Sequence, residues 1–328
     1  MDLNLRQKQL LELLSINCRF SNKDIAKSLH CSEDAIEYQI KKLIEEEKLA
    51  SFSVQFDYSL LGYTHYHLLI RVRDLNINYD SLFKIKELIS INSSYGKFDL
   101  QLIALVKNKD ELEKVIKEIK GILDFQDIVI AEFHSYIKRF SNILPPIDVD
   151  VKIPTNRKNK VYILNTKEYS LSEDKSLINL DKIDKRIILL ILKNPRIKFS
   201  EISEKTNLNQ ETIRYRINGY VQRKFIMNFG LLHDFQKYGL YTTQLLVNLK
   251  DVSKQLKEFL HKSSHVFYSA RLIGAYSAVI YIVSKDPLEL GEKLKEIRTI
   301  IGDDLLSIDL INMEKIHKYV QFPVQELS

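Results

Sequence analysis

Residues 207–224 read Asn-Leu-Asn-Gln-Glu-Thr-Ile-Arg-Tyr-Arg-Ile-Asn-Gly-Tyr-Val-Gln-Arg-Lys. Ile213, Ile217, Tyr220 and Val221 recur at helical spacing on one apolar face, while Glu211, Tyr215, Asn218 and Gln222 fall opposite. The stretch therefore predicts an amphipathic helix from about Gln210 to Arg223, with Asn209 as its N-cap. Upstream, Asp181 precedes Ile183, Ile187, Ile188, Ile191 and Leu192 on one helical face, and Pro195 stops that helix. A shorter helix over 200–205, with Ile202 inward, ends at the break Asn207-Leu208-Asn209. From Phe225 to Leu232 the pattern alternates as in a strand. Three helices, a tight turn before the third and a β-ribbon predict a winged helix-turn-helix.

The same pattern occurs earlier in the chain. Shifted by 177 positions, residues 3–63 align with 180–240 without a gap. Leu3, Lys8, Leu13, Asn17, Arg19, Ile25, Ile36, Tyr38, Ile40, Phe52, Asp57 and Gly62 recur as Leu180, Lys185, Leu190, Asn194, Arg196, Ile202, Ile213, Tyr215, Ile217, Phe229, Asp234 and Gly239. With small gaps the register continues through Gly96 and Gly274 to Pro145 and Pro323. A repeat of this length means two copies of one unit.

The remainder of each unit has another rhythm. In the first copy it predicts strand 66–72, helix 79–89, strands 93–96 and 99–106, helix 110–120 and strand 127–137. In the second it predicts strand 242–249, helix 253–261, strands 266–272 and 275–283, helix 287–301 and strand 305–319. Asp286 followed by Pro287 is a cap with proline at the first helical position. The order βαββαβ is ferredoxin-like, a four-stranded sheet with both helices on one face. The open faces of two such sheets are expected to pack together as an internal pseudo-dimer.

The fold class is therefore α+β: two winged helix-turn-helix domains and two ferredoxin-like domains in tandem. The expected boundaries are 1–58, 62–145, 180–235 and 239–324, with 146–179 as a linker. Within the linker, 149–153 and 160–164 flank a turn-like Pro154-Thr155-Asn156-Arg157, a candidate hairpin.

Leu180-Asp181-Lys182-Ile183-Asp184 at the helical entry, Thr212-Ile213-Arg214-Tyr215-Arg216-Ile217 in the third helix and Tyr238-Gly239 at the exit, followed by βαββαβ, resemble the Lrp/AsnC family of transcriptional regulators. The resemblance covers nearly all of both copies. It implies a DNA-binding helical part and a sheet domain that oligomerises and senses a small molecule, often an amino acid. A Gly-x-x-Asp turn near the family's effector pocket is matched by Gly96-Lys97-Phe98-Asp99, whereas Gly274-Ala275-Tyr276-Ser277 departs from it. Gly96, Asp99, Gly274 and Ser277 are thus the effector candidates.

Charge separates the two copies. Residues 181–230 hold 11 Lys or Arg and 5 Asp or Glu, a net +6, whereas 4–53 hold 8 of each. In the third helix region, 207–224 carries Arg214, Arg216, Arg223 and Lys224 against Glu211; 30–47 carries Lys41 and Lys42 against six acids. Phosphate neutralisation drives DNA binding, so the second copy is the expected reader and the first a degenerate twin. Gln210, Arg214 and Tyr215 are placed toward base edges, with Thr212 beside them, and Arg196, Arg216, Arg223 and Lys224 toward phosphates. The expected partners are double-stranded DNA, an amino-acid-like effector and a second copy of the chain.

Bulk properties bound the alternatives. The net charge of the 328 residues is only +6, and the longest purely aliphatic run, Ile187 to Leu192, is far too short to span a bilayer. The N-terminal ten residues have no signal-peptide core, so a cytoplasmic protein is expected. Cys18 and Cys31 have neither disulfide-framework nor zinc-ribbon spacing, and read as small reduced thiols. No phosphate loop, nucleophile elbow or His-Glu-x-x-His helix occurs, so neither enzyme activity nor a cofactor is expected. His65 and His67 on one strand and Glu132 and His134 on its neighbour form a conceivable metal cluster, with sheet-edge polarity the preferred reading. Siroheme decarboxylases are similar to the family in fold and use His, Arg and aromatic residues. His265, Tyr268 and Arg271 are the corresponding candidates, in a chain without Trp. A non-DNA-binding sensor is the third reading, favoured by the acidic first copy.

Overall fold

The structure, a computed structural model, describes residues 3–138 other than 48 and 50, together with 151–154 and 176–327. Most of the candidate hairpin and of the linker lies outside these residues, and the described part of the first arm, 151–153, is not a strand.

In the first copy helices α1 (Leu5–Ile16), α2 (Asn22–Ser28) and α3 (Glu33–Glu45) lead to strand β1 (Ser51–Phe56). Then follow β2 (Thr64–Val72), α4 (Tyr79–Phe83), β3 (Leu88–Gly96), β4 (Leu100–Val106), α5 (Lys109–Ile122) and β5 (Phe125–Lys138). The second copy repeats this as α6 (Lys182–Lys193), α7 (Phe199–Thr206), α8 (Gln210–Gln222) and β6 (Ile226–Leu232). It continues with β7 (Tyr241–Leu249), α9 (Lys254–Lys262), β8 (Val266–Gly274), β9 (Ala278–Ser284), α10 (Pro287–Ile301) and β10 (Leu305–Tyr319). The 79–89 helix is corrected: α4 stops at Phe83 and β3 begins at Leu88, because Ile85, Leu88 and Ile91 bury themselves in the sheet core rather than along a helical face.

Local chemistry repeats with the sequence. Asn4 and Gln7 form a capping box on α1, as Asp181 and Asp184 do on α6. The described non-glycine residues with positive φ come as two pairs 177 apart, His30 with Asn207 and Glu47 with Lys224. The first pair makes the tight turn before the third helix, capped by Ser32 and Asn209. The second pair reverses the chain after that helix.

Each helix-turn-helix contributes only one strand to a ribbon. The expected wing is completed between copies: β1 pairs antiparallel with β6. Ser53 lies opposite Gly230, its own repeat counterpart, so the pseudo-twofold axis passes through that pair. Gly230 is required there, since a Cβ would come 2.9 Å from the Ser15 carbonyl.

The two ferredoxin-like sheets do more than face each other. They close into an eight-stranded barrel, β10-β3-β4-β2-β5-β8-β9-β7, with the long strands β5 and β10 changing partners midway. β5 pairs with β2 through Glu132 and with β8 from Ala131; β10 pairs with β7 through Asn312 and with β3 from Ile311. Barrel closure leaves no free edge at either seam. Helices α4, α5, α9 and α10 cover the outside, against Leu68, Ile70, Leu102 and Ala104 on one sheet and Leu245, Val247 and Ile280 on the other.

The helical cores are shared across the axis as well. Leu10, Leu14 and Phe20 of the first copy pack with Leu231, Phe235 and Leu240, and Ile187, Ile191 and Ile217 of the second with Val54, Phe56, Leu60 and Leu61. The core of each helix-turn-helix is therefore completed by residues of the other copy.

Candidate nucleic-acid interface and central cavity

The eight residues expected to touch DNA divide into two groups. Gln210, Arg214 and Tyr215 are exposed on α8, Tyr215 at 80%, and Thr212 beside them is half-buried. Arg214 pairs with Glu211 at 3.1 Å, and its guanidinium lies over the Phe199 ring of α7. Arg223 and Lys224 are exposed at the C-terminal end of α8.

Arg216 and Arg196 require correction. The Arg216 guanidinium donates to Asp181 at 2.8 Å and to Asp184 at 2.5 Å, and the Tyr220 hydroxyl donates to Asp184 as well. This network ties α8 to the capping box of α6. The hydrogen bond from the Asp184 amide, with the Arg216 guanidinium beside it, holds the Asp181 carboxyl below its ordinary value, and hydrogen bonds to Asp181 and Asp184 raise the Arg216 value. Arg196 points into the seam between the helix-turn-helix copies, donating to the Cys18 carbonyl and to Asn22 Oδ1 at 2.7 Å. Two of the four charges expected at phosphates are thus engaged by partners within the protein. Lys198, exposed at the N-cap of α7, was not singled out; position before a short helix was its one sequence signal.

On α3 the equivalent surface is acidic. Glu33, Asp34 and Glu37 are exposed, and the two lysines pair within the helix, Lys41 with Glu37 at 3.1 Å and Lys42 with Glu46 at 3.7 Å.

The effector candidates hold turns together. Asp99 Oδ2 accepts from the Val72 amide at 3.0 Å, and Ser277 Oγ accepts from the Leu249 amide at 3.1 Å, so Asp and Ser do the same job at equivalent places. Gly96 and Gly274 sit at φ +124 and +126 where β5 and β10 change partners; a Cβ would lie 2.7 Å from the Leu310 carbonyl and 2.9 Å from that of Ile130. Gly274 and Ser277 also border a polar cleft of about 270 Å³ with Lys250, Asp251 and Arg271.

The conceivable metal cluster separates. Tyr66 pairs with Glu132 and His67 with Ala131, so strand alternation places His65 and His67 on the barrel's inner face and Glu132 and exposed His134 on the other. Among the described residues no group of three or more His, Cys, Asp or Glu could hold a metal ion. Cys18 is fully buried, and burial pushes its thiol up to about 12.

Between the ribbon and the barrel lies a cavity of about 830 Å³. Its roof is Ser15, Ser53, Gln55, Met227, Leu231 and His233; the barrel supplies His65, His67, Tyr136, Tyr268, Tyr281 and His317. One wall belongs to a run of rings at centroid distances of 4.6–5.9 Å: His67, His65, Phe133, Tyr136, Tyr268, Tyr281, Phe267, Phe235 and His233. Burial pushes His67 and His233 down to about 4 and His65 well below its ordinary value, so the imidazoles are neutral near pH 7. The Nε2 atoms of His65 and His67 and Nδ1 of His233 are buried without a hydrogen-bond partner. His233 Nε2 meets Ser15 Oγ at 3.0 Å, linking α1 to the cavity roof. Of the tetrapyrrole candidates only Tyr268 lines this cavity. His265 turns to the Val283 carbonyl and Arg271 borders the polar cleft. Sequence reading missed the cavity because its wall joins strands from both copies.

Residues 180–221 match the winged helix-turn-helix DNA-binding family. An HTH-type transcriptional regulator of Pyrococcus horikoshii is 29% identical over 121 residues, 36% of this chain and 77% of its own length. Another from Pyrococcus abyssi is 24% identical over 149 residues, covering 43% and 96%. The architecture, a winged helix-turn-helix followed by a βαββαβ domain, is the one that the resemblance to the Lrp/AsnC regulators implies. Here it is duplicated within one chain, and the full length has a counterpart in fold: the siroheme decarboxylase NirDL, 11% identical, aligns over 98% of this chain and 97% of its own at a TM-score of 0.62. No helix among the described residues is long and apolar enough to cross a membrane.

Proposed function

We propose that the protein is a regulator that binds double-stranded DNA through its second winged helix-turn-helix. The observation that carries this reading is the contrast between the third helices: α8 exposes Gln210, Arg214 and Tyr215, with Arg223 and Lys224 at its end, whereas α3 exposes Glu33, Asp34 and Glu37. In this reading Arg214 and Tyr215 face base edges, and Lys198, Arg223 and Lys224 meet the flanking phosphates. One reading helix per chain then requires a second chain to engage two half-sites. Retardation of duplex fragments by the intact chain, weakening steeply between about 50 and 200 mM salt, is the expected result. Absence of any retarded species at low salt contradicts it.

A second reading, turnover of a tetrapyrrole as in siroheme decarboxylase, is favoured by the full-length likeness in fold and by the histidines of the cavity. Charge weighs against it. Siroheme carries several carboxylates, whereas among the described residues the charged lining residues are Lys315, Asp234 and Glu314, and the His67 and His233 imidazoles are neutral. Addition of siroheme separates the two readings: a shifted Soret band with release of carbon dioxide supports the second, and an unchanged spectrum supports the first.

A further inference from the structure

The cavity between the ribbon and the barrel has features that a DNA-binding role leaves unused. Among the described residues the ionised lining groups are one base, Lys315, and two acids, Asp234 and Glu314, so this lining is close to electroneutral, and Glu314 and Lys315 are exposed. Buried polar atoms without a partner are costly, and His65 Nε2, His67 Nε2 and His233 Nδ1 are three such atoms. A volume of about 830 Å³ lies within the size range of small-molecule pockets.

The repeat shows that the two sides of this cavity differ. His65 and His67 have Thr242 and Gln244 as counterparts, and Tyr268 and Tyr281 have Ser90 and Ile103. A duplicated fold would offer two equivalent half-pockets; here these four positions carry rings in one half and aliphatic or small polar groups in the other, where Tyr58, His317 and Tyr319 supply rings at different places. The combined space therefore has one preferred orientation for one ligand. Flat aromatic surface stacks on rings, and a neutral imidazole donates or accepts a single hydrogen bond according to its tautomer.

The roof connects this space to α8. On β6, Met227 and Leu231 line the cavity, while Phe229 and the preceding Phe225 are in the core beneath α8. The Phe225 amide donates to the Tyr220 carbonyl at 2.8 Å, and its carbonyl accepts from Asp57, beyond β1. A shift of the ribbon therefore moves the end of the reading helix.

We infer that the cavity binds one uncharged, flat aromatic molecule and that the β1–β6 ribbon transmits its presence to DNA binding by α8. The second clause rests on the DNA-binding reading; the first stands without it.

The test titrates the intact chain with Nile red, an uncharged polycyclic dye, and in parallel with uroporphyrin, a flat polycarboxylate. Saturable binding of one Nile red per chain, with uroporphyrin at least tenfold weaker, is expected. Thr242→Phe and Ser90→Phe each place a ring where the counterpart, His65 or Tyr268, already carries one. Either variant, once its near-ultraviolet circular dichroism matches the parent, should lower Nile red affinity at least tenfold. No saturable binding to the parent, comparable binding of uroporphyrin, or undiminished binding by a folded variant overturns the site. Saturating Nile red should also shift the midpoint of DNA binding severalfold; DNA binding that ignores the dye overturns the coupling. If no DNA binds with or without dye, the DNA-binding reading fails and the coupling with it, while one bound dye per chain still supports the site.

Discussion

Arg19 and Arg196, counterparts across the repeat, each reach into the other copy. Arg19 donates to the Pro195 carbonyl at 2.7 Å and the Ile197 carbonyl at 2.9 Å; Arg196 donates to the Cys18 carbonyl and Asn22. The exchange is isologous, as at a twofold dimer interface, but lies within one chain. Its role is to fasten the two helical domains in a fixed relation.

Arg196→Ala and Arg19→Ala should therefore reduce stability, since each leaves carbonyls at the seam without donors. A loss of about 1–3 kcal/mol each is expected from a urea melt. DNA affinity of Arg196→Ala, measured where the variant is folded, should stay within about twofold of the parent if its partners are internal.

Arg216 makes a similar case. Arg216→Met leaves Asp184, 9% exposed, with only the Tyr220 hydroxyl among its side-chain partners here, and should lower stability by about 1–3 kcal/mol. Thermal or urea denaturation measures the loss, and a fully stable variant contradicts the network's role.

Stability should also fall on the acid side because of the cavity histidines. His67 is 3% exposed with a folded value near 4, whereas the unfolded chain takes up that proton near its ordinary 6.5. Below about pH 6.5 the unfolded state binds the proton first, so stability declines as pH falls toward 4. At about 1.4 kcal/mol per unit, His67 accounts for a decline on the order of 3 kcal/mol. His67→Gln should flatten that part of the stability profile; an unchanged slope between pH 6.5 and 4 would falsify the assignment.

Glycine substitutions test the barrel seam. Gly274→Ala places a Cβ 2.9 Å from the Ile130 carbonyl at a positive φ and should cost about 1–3 kcal/mol. Gly291→Ala, inside α10 with nothing within 4 Å of its added methyl, should instead stabilise by about 0.5–1 kcal/mol. Opposite shifts in urea midpoint are the expected outcome.

Much of this fold was legible because the repeat doubled every local signal. Caps at Ser32 and Asn209, the apolar face of Ile213, Ile217, Tyr220 and Val221, and Pro287 at the start of α10 are all local properties. Three features were not local. The apolar run through Ile85, Leu88 and Ile89 suits a helix or a strand, and the sheet decided it. Arg196 and Arg216 counted as free charge, although partners far off in sequence neutralise them or bury them. The cavity joins β2 and β5 of one copy to β6, β8, β9 and β10 of the other, and no periodicity within a copy records that meeting.

The central claim is that α8 reads DNA and α3 does not. Fluorescence anisotropy of a labelled duplex, titrated with the intact chain across a salt series, tests it through two variants. Arg214→Ala should weaken binding and reduce the slope of log affinity against log salt by about one, whereas Lys41→Ala with Lys42→Ala should leave both unchanged. Equal losses from the two variants, or no loss from Arg214→Ala, would contradict the account.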